Sequence, residues 1–136
     1  MSAPSPAVRT QTYIRDGNRC IVCASSEMLT FQHRQAVGMG GSKTRPQVAE
    51  GLTACLMCND RFEGDLQETA LLFGWKVRRN IGHFVCEDVP VFFPLWAQWF
   101  VVVGEIRVPI TELEARRKMI AVYGPEYEAW RKGNEQ

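Results

Sequence analysis

The sequence predicts an α+β fold, and three observations predict it. Two Cys-x-x-Cys pairs, Cys20/Cys23 and Cys55/Cys58, bracket a stretch rich in special residues that follows neither a helical nor a strand period. Residues 89–110 hold short runs of β-branched and aromatic side chains. Thr111, with Glu114 three residues on, is a capping-box signature for a closing helix.

Taken in order, residues 1–8 hold two prolines, two serines and two alanines with little to bury, and read as a loose tail. A short amphipathic turn, Thr10 to Ile14, leads into the turn-forming cluster Arg15-Asp16-Gly17-Asn18-Arg19. Two short strands are expected to flank His33, one through Met28 to Phe31 and one after it. Asn59 to Phe73 reads as a single helix, with Phe62, Leu66, Thr69, Ala70 and Phe73 on one face and Gly74 as its stop. Trp75 to Arg79 looks extended. Val89 to Phe93 and Gln98 to Val103 form a hairpin turning through Pro94 to Ala97, with Glu105 to Ile110 as a third strand. A helix then runs from Glu112 to about Tyr123, Gly124-Pro125 breaks it, and Glu126 to Lys132 adds a further turn. The division expected is a tail at 1–8, a core at 9–80, and a β-rich extension with a terminal helix at 81–136.

A chain of 136 residues suits one domain with an extension. The longest apolar stretch, Val89 to Val103, is interrupted by Pro90, Pro94 and Gln98, so no membrane span is expected. Met1 to Ala7 carries neither a basic cluster nor an apolar run, which argues against a signal peptide and for a reducing cytoplasm. The net charge of +1 is uninformative, but its distribution is uneven. Residues 1–85 hold ten lysines and arginines against seven carboxylates, whereas residues 86–136 hold six against eight. A mildly basic first half fits a phosphate-binding surface, and equally an inert one.

Each Cys-x-x-Cys pair can present two thiolates from a tight turn, and two such pairs complete the tetrahedral sphere of Zn²⁺. Four protein ligands leave no open position, so this zinc would be structural rather than catalytic. Buried free cysteines or a redox dithiol are the competing readings; a redox motif needs only one pair, normally near a βαβ pattern that this sequence lacks. Cys86 stands alone and reads as a small core residue.

Between the pairs lie Phe31-Gln32-His33-Arg34 and the Gly38-Met39-Gly40-Gly41-Ser42 loop. Together with Arg15-Asp16-Gly17-Asn18-Arg19-Cys20-Ile21-Val22-Cys23 and Gly51-Leu52-Thr53-Ala54-Cys55-Leu56-Met57-Cys58-Asn59, this resembles the HNH endonucleases, in particular the small ones of phages and actinobacteria. The likeness covers roughly residues 8–110. It is most specific at the cysteines and at Gln32-His33-Arg34, and weaker at Gly74-Trp75-Lys76-Val77 and Val89-Pro90-Val91.

The resemblance implies a ββα-metal (His-Me finger) core stapled by the four cysteines. A hairpin would carry a general base, and the following helix would carry ligands to a catalytic Mg²⁺ or Mn²⁺ that assists DNA phosphodiester hydrolysis. His33 matches the base. Gln32 stands where the family usually has His or Asp as an ion ligand. Glu50 aligns with the middle Asn that braces the loop, and Asn59 with the final His. Glu63, four residues after Asn59, would share its helix face and offer a carboxylate, or else be a solvated charge.

Arg34, Lys43 and Arg45 sit in or beside the glycine-rich loop, where they would contact phosphates. Trp96, Trp99, Phe92, Phe93 and Phe100 read as sheet core ahead of base-stacking groups, and His83 as a turn residue. The partner expected is DNA, with a second copy of the chain or a phage or host protein as further candidates. The alternative from another class is a zinc-stapled DNA-binding or host-interaction module that keeps the fold without hydrolysis.

Overall fold

The computed structural model describes residues 3–35 and 44–134. Helix α1 spans Pro6–Arg15. Ser5 caps it by accepting from the Val8 N–H at 3.1 Å, and Pro6 sits in the first turn, where a missing N–H costs nothing. The tail expected through residue 8 therefore ends at Ser5. A Ser-Pro pair is a helix start as well as a disorder-prone composition, and the tertiary contacts of α1 decide between them.

Strands β1 (Leu29–His33) and β2 (Gly51–Cys55) pair antiparallel, with Leu29 opposite Cys55, Phe31 opposite Thr53 and His33 opposite Gly51. His33 thus ends a strand instead of lying between two. Gly51 is required by close approach, since a Cβ there would fall 2.0 Å from the Phe31 ring. The connection, residues 34–50, ends in a 3-10 turn at Val48–Glu50. Two buried residues of α1 and its cap hold that return chain. The Arg15 guanidinium grips Asp16 at 2.8 and 3.1 Å and donates to Val48 O at 2.9 Å and Gly51 O at 2.7 Å. Asp16 in turn accepts from the Thr53 N–H at 2.8 Å.

The helix expected over 59–73 is two helices, α2 (Leu56–Arg61) and α3 (Gln67–Leu72). Gly64 and Asp65 lie at the break, where glycine costs about 1 kcal/mol against alanine in a helix and aspartate favours turns. The bend sends Phe62 and Ala70 into one core cluster and Leu72 into another. Gly74 follows with φ +75, and any Cβ there would lie 1.7 Å from Pro90 O.

The second sheet follows the expected pattern: β3 (Val91–Phe93), a 3-10 turn at Pro94–Trp96, β4 (Gln98–Val103) and β5 (Ile106–Ile110), in the order β3-β4-β5. Helix α4, Glu112–Tyr123, has the capping box, with Thr111 Oγ1 accepting from the Glu114 N–H at 3.1 Å. Beyond Gly124, α5 runs over Pro125–Asn134, longer than the single turn expected.

The first core cluster joins Cys20, Leu52, Phe62 and Trp75 to Val91, Phe93, Phe100 and Val102, so it runs across residue 80. The second packs Val77, Val89 and Trp99 against Met119, Tyr127 and Trp130. Among their aromatics, Phe93 and Trp99 are buried and Phe92 is partly buried.

One side chain straps the halves together. Arg34 is 0% exposed and donates to Gly74 O (2.8 and 3.2 Å), Cys86 O (3.1 Å) and Val89 O (2.8 Å). Removing it would take this donor from Gly74 O and Val89 O, each worth about 1–3 kcal/mol when left unpaired and buried, while Cys86 O keeps the Val89 N–H at 3.1 Å. Arg34→Met is expected to lower unfolding stability by at least about 2 kcal/mol. Urea denaturation checks this; a loss under about 1 kcal/mol would mean the strap is incidental.

Candidate metal centre

The first cysteine pair sits in a turn held by Cys20 N–H to Ser25 O (2.8 Å), Ala24 N–H to Cys20 O (2.9 Å) and Val22 N–H to the Cys20 sulfur (3.4 Å). Ile21 N–H donates to Thr53 O at 3.0 Å and so docks this turn on β2. The second pair needs no separate loop. Cys55 ends β2 and is the N-cap of α2, its sulfur accepting from the Cys58 N–H at 3.5 Å. The four ligand sulfurs lie within 4.8 Å of one another, and Cys23 and Cys55 are 3.8 Å apart. Sulfurs on a tetrahedral ion at about 2.3 Å would be separated by about 3.8 Å. The four cysteines thus form a cluster that could hold a metal ion. Cys23 is exposed while the other three are buried.

Burial pushes the Cys20 and Cys58 thiols above their ordinary range. Burial alone would raise Cys55 too, but hydrogen bonds from the Cys58 amide and the neighbouring thiols outweigh it and bring Cys55 below its usual value. Cys86 is buried elsewhere, in the second core cluster, and burial raises its thiol despite the Arg34 guanidinium nearby.

The His33 strand shows which predicted site residues converge. The His33 ring is half-buried and edge-on to Phe31, with centroids 5.2 Å apart, on the face of the hairpin that carries Thr53. Gln32 points to the opposite face and is 5% exposed. Its Nε2 donates to His33 O at 2.7 Å, while its Oε1 is, among the described residues, the buried side-chain oxygen without a hydrogen-bond partner. Asn59 reaches the same face from α2, donating to Thr30 Oγ1 at 3.0 Å. Thr30 and Gln32 are one pleat repeat apart, about 7 Å. The sequence therefore places Gln32 and Asn59 on one surface, with His33 at the strand end behind it.

Two expectations, those for Arg34 and Glu63, are corrected. Arg34 is not at the surface; its guanidinium is buried on the backbone carbonyls of Gly74, Cys86 and Val89. Glu63 does not share a helix face with Asn59: α2 stops at Arg61, and the Glu63 carboxylate pairs with Lys76. Glu50 uses its carboxylate to close its own 3-10 turn, accepting from the Gln47 N–H at 2.9 Å. Its carbonyl accepts from the Arg34 N–H at 2.9 Å, so it braces the start of β2 opposite His33 through local bonds. Arg45 is exposed, and Lys43 with the Gly38–Gly41 loop falls outside the described residues.

The paired Arg15-Asp16, read from sequence only as turn formers, are what position the hairpin. Adjacent opposite charges in a turn are common, and only burial distinguishes this pair. Likewise Lys76, Arg78 and Arg79 stand in a segment whose pattern signals extended chain; the run of cations is its one sequence signal.

Comparison with protein-family profiles, curated proteins and solved structures gives no significant match. Among the described residues no helix is long and apolar enough to cross a membrane.

The cysteine cluster generates one prediction. Cys20 and Cys58 hold their protons tightly, so a metal ion must displace at least two near neutral pH. Apparent affinity should then rise with pH, about tenfold per unit for each proton displaced, and fall on acidification. Co²⁺ titrations followed by thiolate charge-transfer absorption should show one ion per chain with this pH slope, lost in Cys58→Ala. Binding that ignores both pH and Cys58 would place the ion elsewhere.

Proposed function

We propose that the chain is a metal-dependent endonuclease of the HNH type, hydrolysing DNA phosphodiester bonds, with structural Zn²⁺ on Cys20, Cys23, Cys55 and Cys58. The observation that carries this reading is the triple role of Cys55, which ends the hairpin, caps the following helix and joins the cluster. One residue thus ties strand, strand and helix into a ββα unit with Gln32 and Asn59 facing each other's surface. Four thiolates suit zinc, and four occupied positions make it a staple.

The chemistry would lie at the open end of β1. The orphaned Gln32 Oε1 and the amide oxygen of Asn59 are hard donors fitting Mg²⁺ or Mn²⁺. An ion held there would stabilise charge on the phosphate and the leaving 3′ oxygen. His33, on the other side of the strand, would take the proton from an attacking water through an imidazole nitrogen. Because neighbouring residues of a pleated strand point to opposite faces, base and ligand would bracket a phosphate lying across the strand end. The Gln32 amide bond to His33 O orients one side chain from the other's backbone.

A second reading is favoured by one observation: Glu63 is neutralised by Lys76, and Gln32 and Asn59 carry no charge. A zinc-stapled module that binds DNA or a host protein without cutting would need no more. Supercoiled-plasmid nicking with Mg²⁺, Mn²⁺ and Ni²⁺ separates the two. The wild type should nick in at least one metal, and His33→Ala should be slower by roughly 10²–10⁴-fold. Equal background for both proteins in every metal would leave the binding module.

A further inference from the structure

We infer that the cleft lined by Lys76, Arg78 and Arg79 is the surface that takes the DNA sugar-phosphate backbone, an inference resting on the nuclease reading above. The cleft encloses about 470 Å³ and is completed by Gln67, Leu71 and Asn80. Its position is the first reason. Val77 bridges Gln35, two residues beyond His33, and Val77 N–H donates to Arg34 O at 2.7 Å. Gln35 Nε2 donates to Arg78 O at 2.8 Å and Arg79 O at 3.2 Å, which clamps the cationic segment against the chain leaving His33. Two extended residues and one strand spacing put Val77 about 8–10 Å from the His33 backbone. At about 3.4 Å of rise per nucleotide, this is within about three steps of a phosphate at the strand end.

The state of the three cations is the second reason. None of the ion pairs among the described residues uses Arg79, and Arg79 is exposed. Arg78 is held by Glu126 at 2.8 Å and stacks over the Trp130 ring at 5.2 Å, which orders its guanidinium while leaving it about half exposed. Lys76 is paired with Glu63, the lysine side chain 17% exposed and the carboxylate side chain 75% exposed. A half-exposed pair such as Arg78–Glu126 contributes about 0–1 kcal/mol, so a polyanion can take over Arg78 at little cost, beside the exposed Arg79. Burial of Arg34 removes the cation next to His33 in sequence from that task, and this segment supplies cations beside the chain that leaves His33.

The test is fluorescence anisotropy of a labelled duplex DNA, without added divalent ion so that no strand is cut. Arg79→Ala should weaken binding several-fold and reduce the slope of log K against log salt by about 1. Glu126→Gln, which removes a competitor for Arg78, should tighten binding. Arg117→Ala removes the same charge from α4, outside the cleft, and should change binding less than Arg79→Ala. Wild-type binding that is indifferent to Arg79 and Glu126, or no duplex binding at all, overturns the cleft assignment. Nicking that survives with such indifference leaves the nuclease reading standing. Charge-dependent binding with no nicking in any metal keeps the cleft and sinks the enzyme.

Discussion

A two-stranded hairpin closed by the long connection 34–50 is the constraint on which the molecule turns. A tight turn would set the register of β1 and β2 for nothing, but a connection of this length must have its closure entropy offset from elsewhere. Two clamps supply the offset. At one end the Arg15–Asp16 pair binds Val48, Gly51 and Thr53 through the backbone. At the other, Cys55 and Cys58 meet Cys20 and Cys23. The clamps share the Thr53 residue, whose N–H goes to Asp16 and whose carbonyl receives Ile21. Register, knuckle and helix α2 are therefore one cooperative unit, and a one-residue slip would put His33 and Gln32 on exchanged faces.

The same economy governs the arginines. Arg15 and Arg34 both lie in the mildly basic first half, yet both are buried and occupied by carbonyls. A guanidinium offers five donors in a plane, so one residue can tie several strands of irregular backbone that make no ladder of their own. Arg34 joins Gly74, Cys86 and Val89, which lie in a region with few regular hydrogen bonds. Charge counted along a sequence therefore overstates the charge presented to a polyanion.

Legibility followed locality. The Cys-x-x-Cys pairs, the Thr111/Glu114 capping box and the β-branched runs of 91–110 are local signals, and the cluster, α4 and the second sheet appear where those signals stand. What failed was decided at long range. The helix through 59–73 obeys its period up to Phe62 and then breaks at Gly64 and Asp65, beyond which Ala70 rejoins the cluster of Phe62 while Leu72 enters the other. Glu63 keeps its spacing from Asn59 and loses its place on the helix for the same reason. Arg34 beside a histidine and a glycine loop has the look of a phosphate contact, and no pattern within the loop announces three carbonyls some forty to fifty-five positions away.

Those failures leave a site of distinct character. With Glu63 held by Lys76, the groups that would face the proposed divalent ion beside β1 are the amide oxygens of Gln32 and Asn59, and neither carries charge. Neutral oxygens bind Mg²⁺ or Mn²⁺ weakly, since such ions favour anionic donors and give up water reluctantly. On the nuclease reading, the missing negative charge has one natural source, the phosphate being cut. Ion and DNA would then bind as one event: the backbone brings the anionic ligand, the chain supplies two orienting oxygens, and His33 meets water only once both are in place. The orphaned Gln32 Oε1 fits that order, because a buried acceptor costs about 1–3 kcal/mol while it waits and recovers it when an ion arrives.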